Sequence, residues 1–210
     1  MKIKSLHRPE ASGKFSNNHY VSYYPQLGVS VIKKNPHKRT AHEWSKNQQE
    51  NRSRFAAMVQ FARLNKYSLI HPIWKLHSIE KLTGYHLFVH MNKRAFNMQG
   101  ELSAPDLLYA TVGSLPIARD MHIDLLDKEN TLEISWEKQK RSIISRKFDL
   151  LGYVVFRSDR CMIPYYTNAY RVDSHAVIKT EIDVHKGDTI YLFFTTQDRK
   201  SYSTSQSFIL

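Results

Sequence analysis

Two sets of residues in this chain are of types and spacings that could do chemistry. One is a pair of imidazoles, His86 and His90, four apart in YHLFVHMNKRAFNM. That stretch has helical periodicity, so both rings would leave one side of a helix, as two ligands to one zinc ion do, with His71 and His77 upstream as sources of a third. No Cys or acid follows in the segment to complete a ligand set, and 11 His in 210 residues produce such spacings by chance. Neither a metal nor another cofactor is expected. Cys161 is the only cysteine, which excludes an internal disulfide, and beside Met162 and Ile163 it reads as a packing residue.

The usual catalytic signatures are missing. There is no Gly-x-Ser-x-Gly, no Gly-x-x-x-x-Gly-Lys and no His-Glu-x-x-His, and 7 Gly leave little material for a phosphate loop. Asp124 with Asp127, and Glu181 with Asp183, fall in loops or at strand edges, where carboxylates keep a sheet soluble. No enzyme is expected.

The second set is cationic. Residues 1–100 hold 17 Lys and Arg against 4 Asp and Glu, whereas residues 101–210 hold 14 against 15. The whole positive excess sits in the first half, which suggests two parts facing different surroundings. Tyr20 and Tyr24, Lys33 and Lys34, Lys38 and Arg39, and Arg52, Arg54 and Arg63 are the candidate partner-binding residues. A protein partner or self-assembly would use the tyrosines as anchors and the cations for steering. Non-specific nucleic-acid binding is the alternative, through phosphate contacts and stacking on Tyr20, Tyr23 and Tyr24, although no recognised nucleic-acid motif is present.

The elements that must carry these residues follow from periodicity. Residues 1–18 read as a flexible basic arm. HYVSYY and VSVIKK flank Pro25-Gln26-Leu27-Gly28 and read as a β-hairpin. Thr40 to Glu43 fits a capping box for a helix whose buried stripe would be Trp44, Gln48, Asn51, Phe55, Met58, Val59 and Ala62, with Trp44 and Phe55 in the core. Pro72 would open a second helix ending at Thr83-Gly84, and a third would end near Gly100. Hairpin and helices make a basic module over residues 19–105.

After Pro105 the pattern turns to β. LLYATV, TLEISWE, LLGYVVF, MIPYY, HAVIKTEI, TIYLFFTT and SQSFIL are strand candidates, with Trp136 as a large inward residue. Residues 106–210 are therefore expected to fold by themselves as an immunoglobulin- or fibronectin type III-like β-sandwich, which makes the chain α+β. No apolar run reaches the roughly 20 residues of a membrane span, and the N-terminus lacks the apolar centre of a signal peptide, so the expected compartment is the cytoplasm.

Several short stretches carry a resemblance. They are Gly13-Lys14, the hairpin, the Lys-rich link to Arg39-Thr40, and Arg52-x-Arg54-Phe55. His71-Pro-Ile-Trp-Lys75, Gly84-Tyr85, Leu87-Phe88, Asn92, Ala95-Phe96 and Gly100 follow. Gly113 to Pro116, Ile190 to Phe194 and Asp198 to Ser203 complete it. Over residues 10–210 the chain resembles an uncharacterised bacterial family known only as a domain of unknown function. It departs at His71 and His86, where the family pattern has Asn, and its arm has fewer glycines. The resemblance implies a two-part architecture and brings no activity or catalytic residue.

Overall fold

The computed structural model describes residues 2–3, 13–16, 19–24, 29–35, 44–78, 83–126, 130–138, 147–156 and 160–210. They fall into two compact units, residues 1–45 and 46–210.

The first unit is a four-stranded antiparallel sheet ordered β1-β4-β3-β2. The expected hairpin forms its centre: β3 (His19–Tyr24) pairs with β4 (Val29–Lys34), from His19 opposite Lys34 to Tyr24 opposite Val29. The Val- and Tyr-rich composition suits a pleated strand, and the turn residues 25–28 lie outside the described residues. The arm differs from expectation. β1 (Lys2–Ile3) pairs with β4, and β2 (Gly13–Ser16) pairs with β3. The open hairpin edges offer unpaired backbone groups, and these arm residues take them up.

The second unit begins with α1 (Lys46–Leu64). Thr40 to Glu43 and the link residues Lys38 and Arg39 lie outside the described residues, and Trp44 precedes the helix, half-buried. Met58, Phe61 and Ala62 are the buried residues of α1, while Phe55 is 62% exposed, so Phe55 is not core as expected. At about 100° per residue, Phe55 lies roughly 60–80° from the middle of the buried face. Asn65 then breaks the α-helix into a π turn, Lys66–Ile70, and Trp74–His77 is a 3₁₀ turn where a second helix was expected. Thr83 and Gly84 start a helix instead of ending one. Thr83 caps α2 (Gly84–Asn92), accepting from the His86 amide at 3.4 Å. A Cβ on Gly84 would stand 2.2 Å from the Trp74 carbonyl oxygen, so only glycine lets α2 lie this close to the 3₁₀ turn. The described residues thus hold two α-helices and short turns in place of three helices.

Among the described residues seven strands follow: β5 (His122–Leu125), β6 (Thr131–Ser135), β7 (Leu150–Phe156), β8 (Pro164–Tyr170), β9 (His175–Lys179), β10 (Thr189–Thr195) and β11 (Gln206–Ile209). They make a four-stranded sheet, β11-β10-β7-β8, and a three-stranded one, β5-β6-β9, with antiparallel pairing throughout. Six of the seven expected strands are present. LLYATV is not a strand, because side chains bind its backbone: the amides of Ala110 and Thr111 donate to Ser205 Oγ, and that of Tyr109 to Asn92 Oδ1. β5, a short edge strand of mixed polarity, takes its place in the count.

Two cores hold this unit together. Leu132, Ile134 and Trp136 meet Leu151, Tyr153, Ile190, Leu192 and Phe194 between the sheets. Trp136 lies edge-on to Phe194 at 5.5 Å and donates to the Arg171 carbonyl at 2.9 Å. Val154, Tyr191 and Phe193, on the other face of the four-stranded sheet, pack in a second core with Phe61, Trp74, Phe88 and Phe96. The order of layers is helices, four-stranded sheet, three-stranded sheet. The expected boundary near residue 105 is therefore not where the compact units divide: residues 46–105 share a core with the sheet, and the division falls at 45/46.

Candidate functional site

Two buried asparagines tie the ends of α1 and α2 to loop segments of the same unit. At the end of α1, Asn65 Nδ2 donates to the carbonyls of Phe61 and Arg160, both at 3.0 Å, and its Oδ1 accepts from the Met162 amide at 2.6 Å. At the end of α2, Asn92 accepts from the Tyr109 amide at 2.6 Å and donates to the Tyr109 carbonyl at 3.2 Å. Trp74 adds a bond from Nε1 to the Ala110 carbonyl at 2.9 Å. Buried amides bonded through both oxygen and nitrogen hold geometry as well as adding stability.

The helices touch through Phe61 and Phe88, whose stacked rings are 6.1 Å apart. Tyr85 Oη donates to the Val59 carbonyl at 3.2 Å, and Arg54 Nε to the Lys93 carbonyl at 2.8 Å. Between these bonds an open groove of about 580 Å³ remains. Phe55, Met58, Val59, Tyr85 and Val89 supply its apolar lining; Asn51, Arg54, His86, His90 and Lys93 supply the polar part. That lining holds no Asp, Glu, Ser or Cys. Glu50, one turn ahead on α1, is 3.9 Å from Lys46. Arg54 and Lys93 are the charged side chains of this lining, beside the imidazoles of His86 and His90 and the amide of Asn51.

The residues expected to bind a partner are divided between the two units, and Lys38 and Arg39 lie outside the described residues. In the first unit, Tyr20 and Tyr24 on β3 and Lys33 on β4 occupy one face of the sheet, since Tyr20 is opposite Lys33 in register, while Lys34 is opposite His19. Lys33 Nζ donates to Tyr24 Oη and stands 4.8 Å from that ring centre; the hydrogen bond raises the lysine pKa. On α1, Arg52 and Arg63 are exposed and share a side, about 160–180° from Arg54 by helix geometry. Of the three arginines on α1, Arg54 lines the groove and Arg52 and Arg63 do not. Sequence reasoning missed Phe55, Tyr85, Val89 and Lys93 as site residues. The available signal was an apolar arc on α1 too wide for one buried stripe, with Phe55 and Val59 at its edge.

His86 and His90 both line the groove from α2, while His71 and His77 are not in its lining. His86 and His90 are exposed on α2, with His86 Nδ1 2.9 Å from Thr83 Oγ1. His77 is half-buried, its Nε2 has no hydrogen-bond partner, and burial pushes its pKa down. No group of three or more His, Cys, Asp or Glu among the described residues is placed to hold a metal ion.

No protein-family model matches the chain, and no curated protein matches it.

Proposed function

We propose that this chain is a non-enzymatic docking protein and that the groove between α1 and α2 receives part of a larger protein partner. One observation carries the reading: an open groove with an apolar lining between two helices, whose charged residues, among those described, are both cationic. The two sheets are its support. Their orders, β5-β6-β9 and β11-β10-β7-β8, favour a fibronectin type III-like sandwich, in which the fourth strand joins the larger sheet. The chain is read as working in the cytoplasm; no helix among the described residues is long and apolar enough to cross a membrane.

A second reading, non-specific nucleic-acid binding, draws on a different surface. Tyr67, 77% exposed at the π turn, has Lys66 Nζ 5.1 Å from its ring centre and the exposed Arg63 one turn earlier. An exposed ring among cations is a stacking platform. Fluorescence anisotropy with an oligo-dT probe separates the two readings. Protein docking predicts only weak, non-specific dissociation constants of about 10⁻⁴–10⁻⁶ M at physiological salt. A sub-micromolar, salt-steep complex, lost when Arg63, Lys66 and Tyr67 are all replaced by Ala, would transfer the function to nucleic acid.

A further inference from the structure

Building on the docking reading, we propose that the occupant of the groove is an amphipathic α-helix of a partner protein, with apolar anchors along one face and carboxylates flanking them. Three observations select it. The groove walls are helices, whose backbone N–H and C=O groups are taken up within each helix or, at the ends, by side chains such as Thr83 and Arg54. An extended segment laid there would find no backbone partners and would bury its own amides unpaired, whereas a helix brings its hydrogen bonds with it.

Length is the second observation. α2 has 9 residues, so the shared wall is about 13 Å long at 1.5 Å per residue. That accommodates two to three turns, room for anchors at i, i+3 or i+4, and i+7. Phe55, at 62% exposure, is the ring such anchors would cover, with Val59 and Val89 beside it.

Charge is the third. Arg54 and Lys93 sit together at the groove, with the Arg54 side chain fixed by its bond to the Lys93 carbonyl, and no carboxylate among the described residues lines it. Residues 46–100 carry 9 Lys and Arg against 2 Asp and Glu, so the surrounding field has the same sign. A partner helix flanked by Glu or Asp would be drawn in and one flanked by Lys repelled.

The test uses the full chain and three designed peptides of about 14 residues, long enough for marginal helicity. The first has Leu anchors at i, i+4 and i+7 with Glu flanks. The second has Lys in place of Glu, and the third has a central Pro. Anisotropy should show the Glu-flanked helix binding at least about tenfold more tightly than either other peptide. Phe55→Ala should weaken it about tenfold, on the scale of a central anchor, and amide shifts should cluster between residues 51 and 59 and between 85 and 93. Tighter binding of the Lys-flanked peptide, equal binding of the Pro-broken one, or no binding of the Glu-flanked helix overturns this inference. The first two, with shifts in the groove, would leave the docking reading standing. Groove shifts caused by oligo-dT and by none of the peptides would overturn both.

Discussion

Deleting residues 1–105 should leave a fragment that does not fold as a stable monomer. Val154, Met162, Tyr191, Phe193 and Tyr202 are each at most 2% exposed in the intact chain, in the core they share with Phe61, Trp74, Phe88 and Phe96. Full burial of a large apolar side chain contributes about 1.5–3 kcal/mol. If the cut uncovers half of each surface, the five lose about 4–8 kcal/mol. A domain of this size has only about 5–15 kcal/mol in total. Removing the helices therefore takes away most of the margin, and the newly exposed face would drive association. Fragments 106–210 and 46–210 can be compared by urea titration followed through tryptophan fluorescence, with sedimentation for size. The longer fragment should unfold cooperatively; the shorter should aggregate or show no cooperative transition. A monomeric 106–210 fragment with the same midpoint as 46–210 would refute the shared core.

Asp149→Ala should destabilise strongly. Arg171, 3% exposed, has Nε 3.3 Å from Asp149 Oδ2 and its guanidinium 4.0 Å from the centre of the Phe194 ring; stranding that cation costs about 3–5 kcal/mol, read as a lower urea midpoint. Gly84→Ala should lower the melting temperature by several degrees, because the added methyl meets the Trp74 carbonyl at 2.2 Å and α2 must shift. His77 should make stability depend on pH. Burial depresses its folded pKa below the ordinary value of 6.5, so the unfolded chain binds the proton more readily. The stability is complete above 6.5 and is lost as pH falls toward the folded pKa. His77→Gln should flatten the pH dependence of the urea midpoint between neutrality and pH 5.

Much of this architecture was legible in local patterns, and where it was not the reasons are physical. The hairpin and six strands announced themselves through Val, Tyr and Ile flanked by turn residues. The layer order was present too, in a form easily misread. A two-layer sandwich calls for alternation, yet LLGYVVF and TIYLFF are almost continuously apolar, because the helices cover the second face of β7 and β10. The charge shift at residue 100 pointed to a boundary there, but charge reports the surface and says nothing of a core that crosses it. Asn65 and Asn92 are ordinary polar residues in sequence; only their bonds to Met162 and Tyr109, distant along the chain, reveal them as clamps. Phe55 was assigned to the core because a helical stripe fixes phase to within a residue, and one residue is 100°. The groove escapes the same pattern, because Phe55 and Val59 line it from the edge of the buried face.

Charge exchange at Lys93 tests the docking claim most directly. Lys93→Glu alters one exposed side chain at the groove and leaves its backbone carbonyl to accept from Arg54. Titrated with the Glu-flanked and Lys-flanked helices, the variant should lose affinity for the first and gain it for the second, about five- to tenfold each way for a close charge pair. Unchanged affinity for both peptides, with the variant folded, would contradict the assignment of the α1–α2 groove as the docking site.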